Sequence, residues 1–297
     1  MKRVVLTACA VLMVPVMSGL AQAKKEPKPL PVVPPEGVSQ LEALIGNALH
    51  AKPTKARRVL VFSKCEGYVH GEGIVYGIKA LEIAAKTGAF QAAFATDYAA
   101  LTDKANLFKY DAVVLNSTTR LKAKDNPALV PNLIEFVKSG RGLCVIHAGA
   151  DNFYDSPDAA EMVGGQFDGH PWGGGGTWAF KLDDPSHPLN KAFDGKGFKA
   201  GDEIYQQKSP FYDRSKLRVL VSLDLSDDKT AAAKGQKRAD KDHAVSWIRP
   251  YGEGRVFYTS FAHDKRAYLN PAILWHILDG LQYTLGDLKA DDKPAAK

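Results

Sequence analysis

Histidines and carboxylates are the side chains best suited to move protons or hold a divalent ion near neutral pH. In this chain they gather just behind apolar runs. His147 closes the run Leu143-Cys144-Val145-Ile146 and is followed by Ala148-Gly149, which leave room beside it. His263, with Asp264 next to it, closes GRVFYTSFAHD. Lys64, Tyr68 and His70 follow Val59-Leu60-Val61-Phe62, and Asn116-Ser117 follow Ala112-Val113-Val114-Leu115. His170 and the segment Asp202-Glu203-Ile204-Tyr205 lie in a less regular stretch. A short buried run that stops at small or polar residues reads as a strand entering a loop. In open α/β sheets ligands bind beyond the carboxyl ends of the strands. Four such ends converging would give a cleft centred on His147.

These residue types fit acid–base or metal chemistry. His147 is expected to be the central base or ligand, with His70 and His263 as further catalytic groups. Asp264 would orient His263 or supply a carboxylate. Lys64, Asn116, Ser117, His170, Glu203 and Tyr205 are candidates for substrate contact, and Tyr68 and Trp172 offer flat faces from loops. His147, His170 and His263, with Glu203 or Asp264, also form a donor set that suits zinc or a similar ion. There is no HExxH and no short-spaced histidine pair, so a hydrogen-bonded histidine cluster stands as the alternative. Gly71-Glu72-Gly73 does not extend to a GxGxxG, since Tyr76 stands in the sixth position, and nucleotide binding is not expected.

The elements that must position these groups alternate. Strands are expected at 57–63, 90–96, 112–116 and 143–147, with helices at 74–86, 98–108 and 128–139 between them. This is the pattern of a parallel sheet covered on both faces. Further strands are expected at 177–182, 218–223, 244–249 and 254–261, with a short helix at 159–163 and a last helix at 271–285. Gly173 to Gly176 read as a mobile loop beside His170, and residues 224–243 as a solvated excursion. A composition of 45% hydrophobic and 24% charged residues suits one large α/β domain at 57–286. Before it, 24–56 reads as a Pro-rich linker with a short helix at 38–49, and after it 287–297 as a disordered tail.

Lys2-Arg3, an apolar run from Val4 to Leu20 and Ala21-Gln22-Ala23 have the order of a secretory signal cleaved after Ala23, implying a periplasmic or secreted protein. No later stretch is long and apolar enough to span a membrane. Loss of Lys2 and Arg3 lowers the formal charge from +6 to +4. The basic residues are scattered, without the basic stripe interleaved with aromatics that marks a nucleic-acid binder. Cys65 and Cys144 remain after cleavage, and sequence leaves open whether they pair. It equally leaves open whether the chain forms a homo-oligomer.

Seven segments in order resemble one family. VLVFSKCEGYVHGEG (59–73), KYDAVVLNST (109–118), GRGLCVIHAGAD (140–151), GGQFDGHP (164–171), DPSHPL (184–189), DEIY (202–205) and GRVFYTSFAHD (254–264) are similar to the ThuA-like (trehalose utilisation) proteins. The resemblance implies an α/β three-layer sandwich with a mostly parallel central sheet, of the class I glutamine amidotransferase-like, flavodoxin-like type. It implies carbohydrate catabolism: a hydrolase or lyase acting on a disaccharide or keto-glycoside, with a small-molecule carbohydrate as partner. In the amidotransferases the strand matching LCVIHAG ends in a nucleophilic cysteine. Here His147 holds that place and Cys144 lies three residues earlier, so thiol-dependent glutamine hydrolysis is not expected. The loss of that thiol also leaves a non-catalytic carbohydrate-binding or scaffold protein as the alternative.

Overall fold

The computed structural model describes residues 29–295. The expected signal segment and Ala23 cleavage site lie outside the described residues.

Nine strands form one sheet in the order β2-β1-β3-β4-β9-β8-β7-β5-β6. They are β1 (Arg58–Phe62), β2 (Gln91–Ala95), β3 (Ala112–Asn116), β4 (Gly142–Ile146), β5 (Trp178–Leu182), β6 (Phe198–Ala200), β7 (Arg218–Leu223), β8 (Ala244–Tyr251) and β9 (Gly254–Thr259). The first five in spatial order run parallel, in the 2-1-3-4 arrangement of flavodoxin-like sheets, and the remaining pairings are antiparallel. The mostly parallel three-layer α/β fold is therefore the one expected.

The layers follow from the period-two alternation of strand side chains. Val59, Val61, Val114, Cys144, Ile146 and Phe257 face one hydrophobic core. Leu60, Phe62, Val113, Leu115, Val145 and Tyr258 face the other. Both faces are covered, which is why these strands read as continuous apolar runs. The helices α1 (Pro35–Ile45), α2 (Gly71–Lys86) and α5 (Pro271–Thr284) cover the first face; α3 (Leu129–Lys138) and α4 (Pro157–Val163) cover the second.

Several boundaries differ from expectation, each for a local reason. The first helix begins at Pro35, not Val38, because proline is pre-organised for a first turn. It stops at Gly46 with φ +67° rather than at Leu49. The helix expected over 98–108 is two single turns divided at Asp103, whose carboxylate caps the second by accepting from Asn106 N. The three-residue edge strand β6 was too short to give an alternation signal. The 224–243 excursion is anchored, since Thr230 accepts from Trp172 Nε1 and Ala179 N. The segment after Asp287 is tied down rather than disordered as far as Asp292. Asp287 accepts from Arg57 and Thr54, and Asp292 from Tyr283. Cys65 and Cys144 are both free thiols.

The strand that delivers His147 is held by a close approach. A methyl group on Gly142 would collide with the carbonyl of Thr284 in α5. Gly142→Ala is expected to cost about 1–3 kcal/mol through overpacking against backbone that cannot yield. A melting scan checks this; an unchanged midpoint would show that α5 can shift.

Candidate functional site

The carboxyl ends of β1, β3, β4 and β9 lie on one edge of the sheet, and the loops that follow them enclose a cavity of about 520 Å³. His70, Glu203, Tyr205 and His263 line it, and His147 lies fully buried at their contact. One nitrogen or carboxylate oxygen from each of His70, His147, Glu203 and His263 fall within 4.8 Å of one another.

Each member is fixed locally. His147 takes the first position after β4 with φ +49°, a left-handed conformation in which a side chain is strained. The bend is stabilised by the hydrogen bond from Nδ1–H to the Ser260 carbonyl, 2.7 Å. That bond fixes the tautomer and aims the Nε2 lone pair at His263 Nδ1 (3.4 Å) and Glu203 (3.9 Å). His70 is the cap residue of α2, stacked edge-on against the rings of both His147 and His263. Its Nδ1 is buried without a hydrogen-bond partner among the described residues. His263 follows Ala262, which has φ +88°. Asp202, which the sequence marks only as a neighbour of Glu203, holds this loop: its carboxylate accepts from the backbone N–H of Ala262, Glu203 and His263. Tyr205 N donates to Ser260 Oγ, joining the same two segments. Gly73 permits α2 to sit on the loop, since a methyl there would lie 2.5 Å from the Ala262 carbonyl oxygen and 2.8 Å from that of His263.

Charge follows from these surroundings. Burial and the neighbouring His263 lower the His70 imidazolium to about 4, and burial holds His147 well below the usual range. Burial alone would raise Glu203, but His263 beside it holds the carboxyl below its ordinary value. Burial alone would lower His263, but Glu203 at 3.4 Å raises it. Burial raises Asp202 to about 7 against its three backbone donors. At neutral pH the cluster is thus two neutral imidazoles, a carboxylate and one imidazole that readily carries a proton.

Other expected site residues are placed differently. His170 is half exposed, 3.5 Å from the far oxygen of Glu203, and flanks the cluster; the group whose donor atoms are close enough to hold a metal contains His70 in its place. Asp264 does not orient His263. It caps the turn 265–268 and pairs with Arg266. Lys64 turns away to Glu66 and the Tyr98 ring. Asn116 is buried, donating to Ser63 Oγ and the Ile74 carbonyl, and Ser117 is wholly buried beside it. Trp172 is fully buried in the core rather than displayed in a loop. The four-glycine segment is tethered, by Trp178 Nε1 to the Gly173 carbonyl and by Arg266 to that of Gly174, with Gly174 packed on His263. Tyr68 and Tyr205 line the cavity, joined by Phe167, Arg120 and Asp151. The last two lay unmarked in polar loop sequence.

The model of the ThuA family, described as trehalose utilisation, matches residues 58–284. The chain belongs to the ThuA family. Among solved structures, this ThuA chain is similar to a ThuA-like protein from Bacteroides uniformis, with 20% identity, coverage of 78% of this chain and 94% of that one, and a TM-score of 0.61. It is also similar to one from Parabacteroides merdae, with 17% identity, 82% and 93% coverage and a TM-score of 0.55. A cytoplasmic protein, STM1381, from Salmonella typhimurium LT2 shares the fold at 12% identity, 77% and 99% coverage and a TM-score of 0.51. No curated protein matches the chain. Among the described residues no helix is long and apolar enough to cross a membrane.

Proposed function

We propose that this ThuA-family chain is an exported, metal-dependent enzyme of disaccharide breakdown, a hydrolase or lyase acting on a disaccharide or keto-glycoside. The observation that carries the proposal is the four-ligand cluster of His70, His147, His263 and Glu203 against an open cavity. A tetrahedral zinc site places its donor atoms about 3.3 Å apart, and the contacts of His263 Nδ1 with His147 Nε2 and Glu203 Oε1 are both 3.4 Å. The unpartnered Nδ1 of buried His70 fits a site that takes a further bond. Three neutral imidazoles and one carboxylate would leave a zinc-like ion a single positive charge, and a sugar carbonyl or water reaching it from the cavity as a fifth ligand would be polarised or activated.

The chain's own groups divide the remaining work. His147 is held in one tautomer by Ser260, and Glu203 in one position by Asp202 and the histidines. His170 reaches the cavity from outside the ligand set and is placed to carry a proton between substrate and solvent. In hydrolysis, water adds across the glycosidic C–O bond. In elimination, the proton beside the carbonyl leaves and the glycosidic C–O bond breaks, its oxygen taking up a proton. The family's association with trehalose utilisation supports a glycoside as substrate, and the Lys2 to Ala23 segment supports work outside the cytoplasm.

Protein purified without chelator or affinity tag is expected to carry about one equivalent of a divalent metal. It should form product from a panel of intact and keto-disaccharides, and lose that activity on chelation. Less than about a tenth of an equivalent, with activity indifferent to chelator, would remove the metal. Sugar binding with no product over long incubation would favour the non-catalytic reading.

A further inference from the structure

The cavity has a second end that the metal-ligand cluster does not use. There Arg120 and Asp151 line the wall, and Tyr68 stands 68% exposed, its ring 4.8 Å from that of His70. Tyr154, also exposed, adjoins them. Its hydroxyl donates to Asp151 Oδ1, and its ring lies 5.5 Å under the Arg120 guanidinium.

These groups are held in place by contacts that stitch three strand-end loops together. Arg120 has φ +48°, and its N–H donates to the Asp151 carbonyl at 2.8 Å. The stem of its side chain lies over Gly67, where a methyl would come within 3.0 Å of Cγ and Cδ. Thr119 Oγ1 donates to the Tyr68 carbonyl and accepts from Gly67 N. Asn152 binds the Thr118 carbonyl and accepts from Leu121 N. A strained arginine backbone over a glycine is a costly way to support a solvated side chain. Arg120 Nε lies 3.8 Å from Asp151 Oδ2, an ion pair longer than a hydrogen bond, and both side chains line the cavity.

We propose that Arg120, Asp151, Tyr68 and Tyr154 form a second sugar subsite, which holds the ring across the scissile bond from the ring at the metal-ligand cluster. A carboxylate accepts and a guanidinium donates to neighbouring hydroxyls, and an exposed aromatic face covers the C–H face of a pyranose. The site selects disaccharides over single sugars. This inference rests on the proposed sugar-directed function and deepens it.

The test is calorimetric titration of the protein as purified with trehalose and with methyl α-glucoside, which lacks the second ring. Wild type, Tyr68→Ala, Arg120→Ala and Asp151→Asn are compared, with metal content and melting midpoint recorded for each. Wild type is expected to prefer trehalose by about tenfold or more, and each variant to bring the two sugars within about twofold, at unchanged metal content. Equal affinities in wild type, or a preference that survives all three substitutions, would overturn the subsite while leaving the sugar-directed reading standing. If wild type binds neither these two sugars nor their keto forms, that reading fails and the subsite with it. A variant that loses metal or melts early marks a structural role, and Tyr68→Phe, which keeps the ring face, must then retain the trehalose preference or the subsite is rejected.

Discussion

His147→Ala is expected to lower turnover by about a hundred- to a thousandfold, the cost of removing one preorganised group that stabilises developing charge. It should also reduce bound metal from about one equivalent to under about a tenth. The imidazole is fully buried and joins two parts of the site: Nδ1 satisfies the Ser260 carbonyl and Nε2 meets His263. The same substitution leaves that carbonyl unpaired, at about 1–3 kcal/mol, so a lower melting midpoint accompanies it. His263→Ala separates the effects, because that ring is partly exposed and makes no comparable bond to a buried carbonyl. It should lose metal and turnover with little change in stability. Metal analysis and activity on both variants check the assignment; wild-type metal content in either would remove that residue from the ligand set.

The affinity for zinc is expected to rise about tenfold per pH unit as the solution is brought from acid towards neutrality, then to flatten. The sign follows from which ligands still carry a proton. His70, at about 4, and His147, held well below the usual range by burial, are already neutral as the solution nears neutrality, and Glu203, held low, is already ionised. Only His263, raised by Glu203, must release a proton to bind, so one proton leaves per metal below its pKa and none above. Glu203→Gln removes the charge that raises His263. The break should move to lower pH, and the plateau affinity should fall because an amide replaces a carboxylate. Competition with a chromophoric chelator across pH 5.5–8.5 measures both. A slope of two protons would mean that His70 or His147 is also protonated in the free protein.

The central strands were legible because burial on both faces leaves an uninterrupted apolar signature, as in Val59–Phe62 and Ala112–Leu115. His147 and His263 were legible because each stands where such a run stops. The exchange of His70 for His170 was not, since both follow loops and only the packing of α2 against 262–263 decides which ring turns inward. Trp172 and Asn116 look exposed in sequence because polar or glycine residues flank them; both fill space behind the site. Asp202 acts through backbone N–H groups, two of them about sixty residues away, and Arg120 and Asp151 through neighbouring loops, contacts that leave no periodicity to read.

The glycine at 73 sets a spacing. With a hydrogen where other residues carry carbon, α2 settles against the carbonyls of Ala262 and His263, and this contact fixes how far His70 stands from its partners. Ions differ in radius by a few tenths of an ångström and in preferred geometry. The absent methyl therefore acts as a gauge block between two jaws. An ion held by this cluster would be selected by a helix–loop contact that touches none of the candidate ligand atoms.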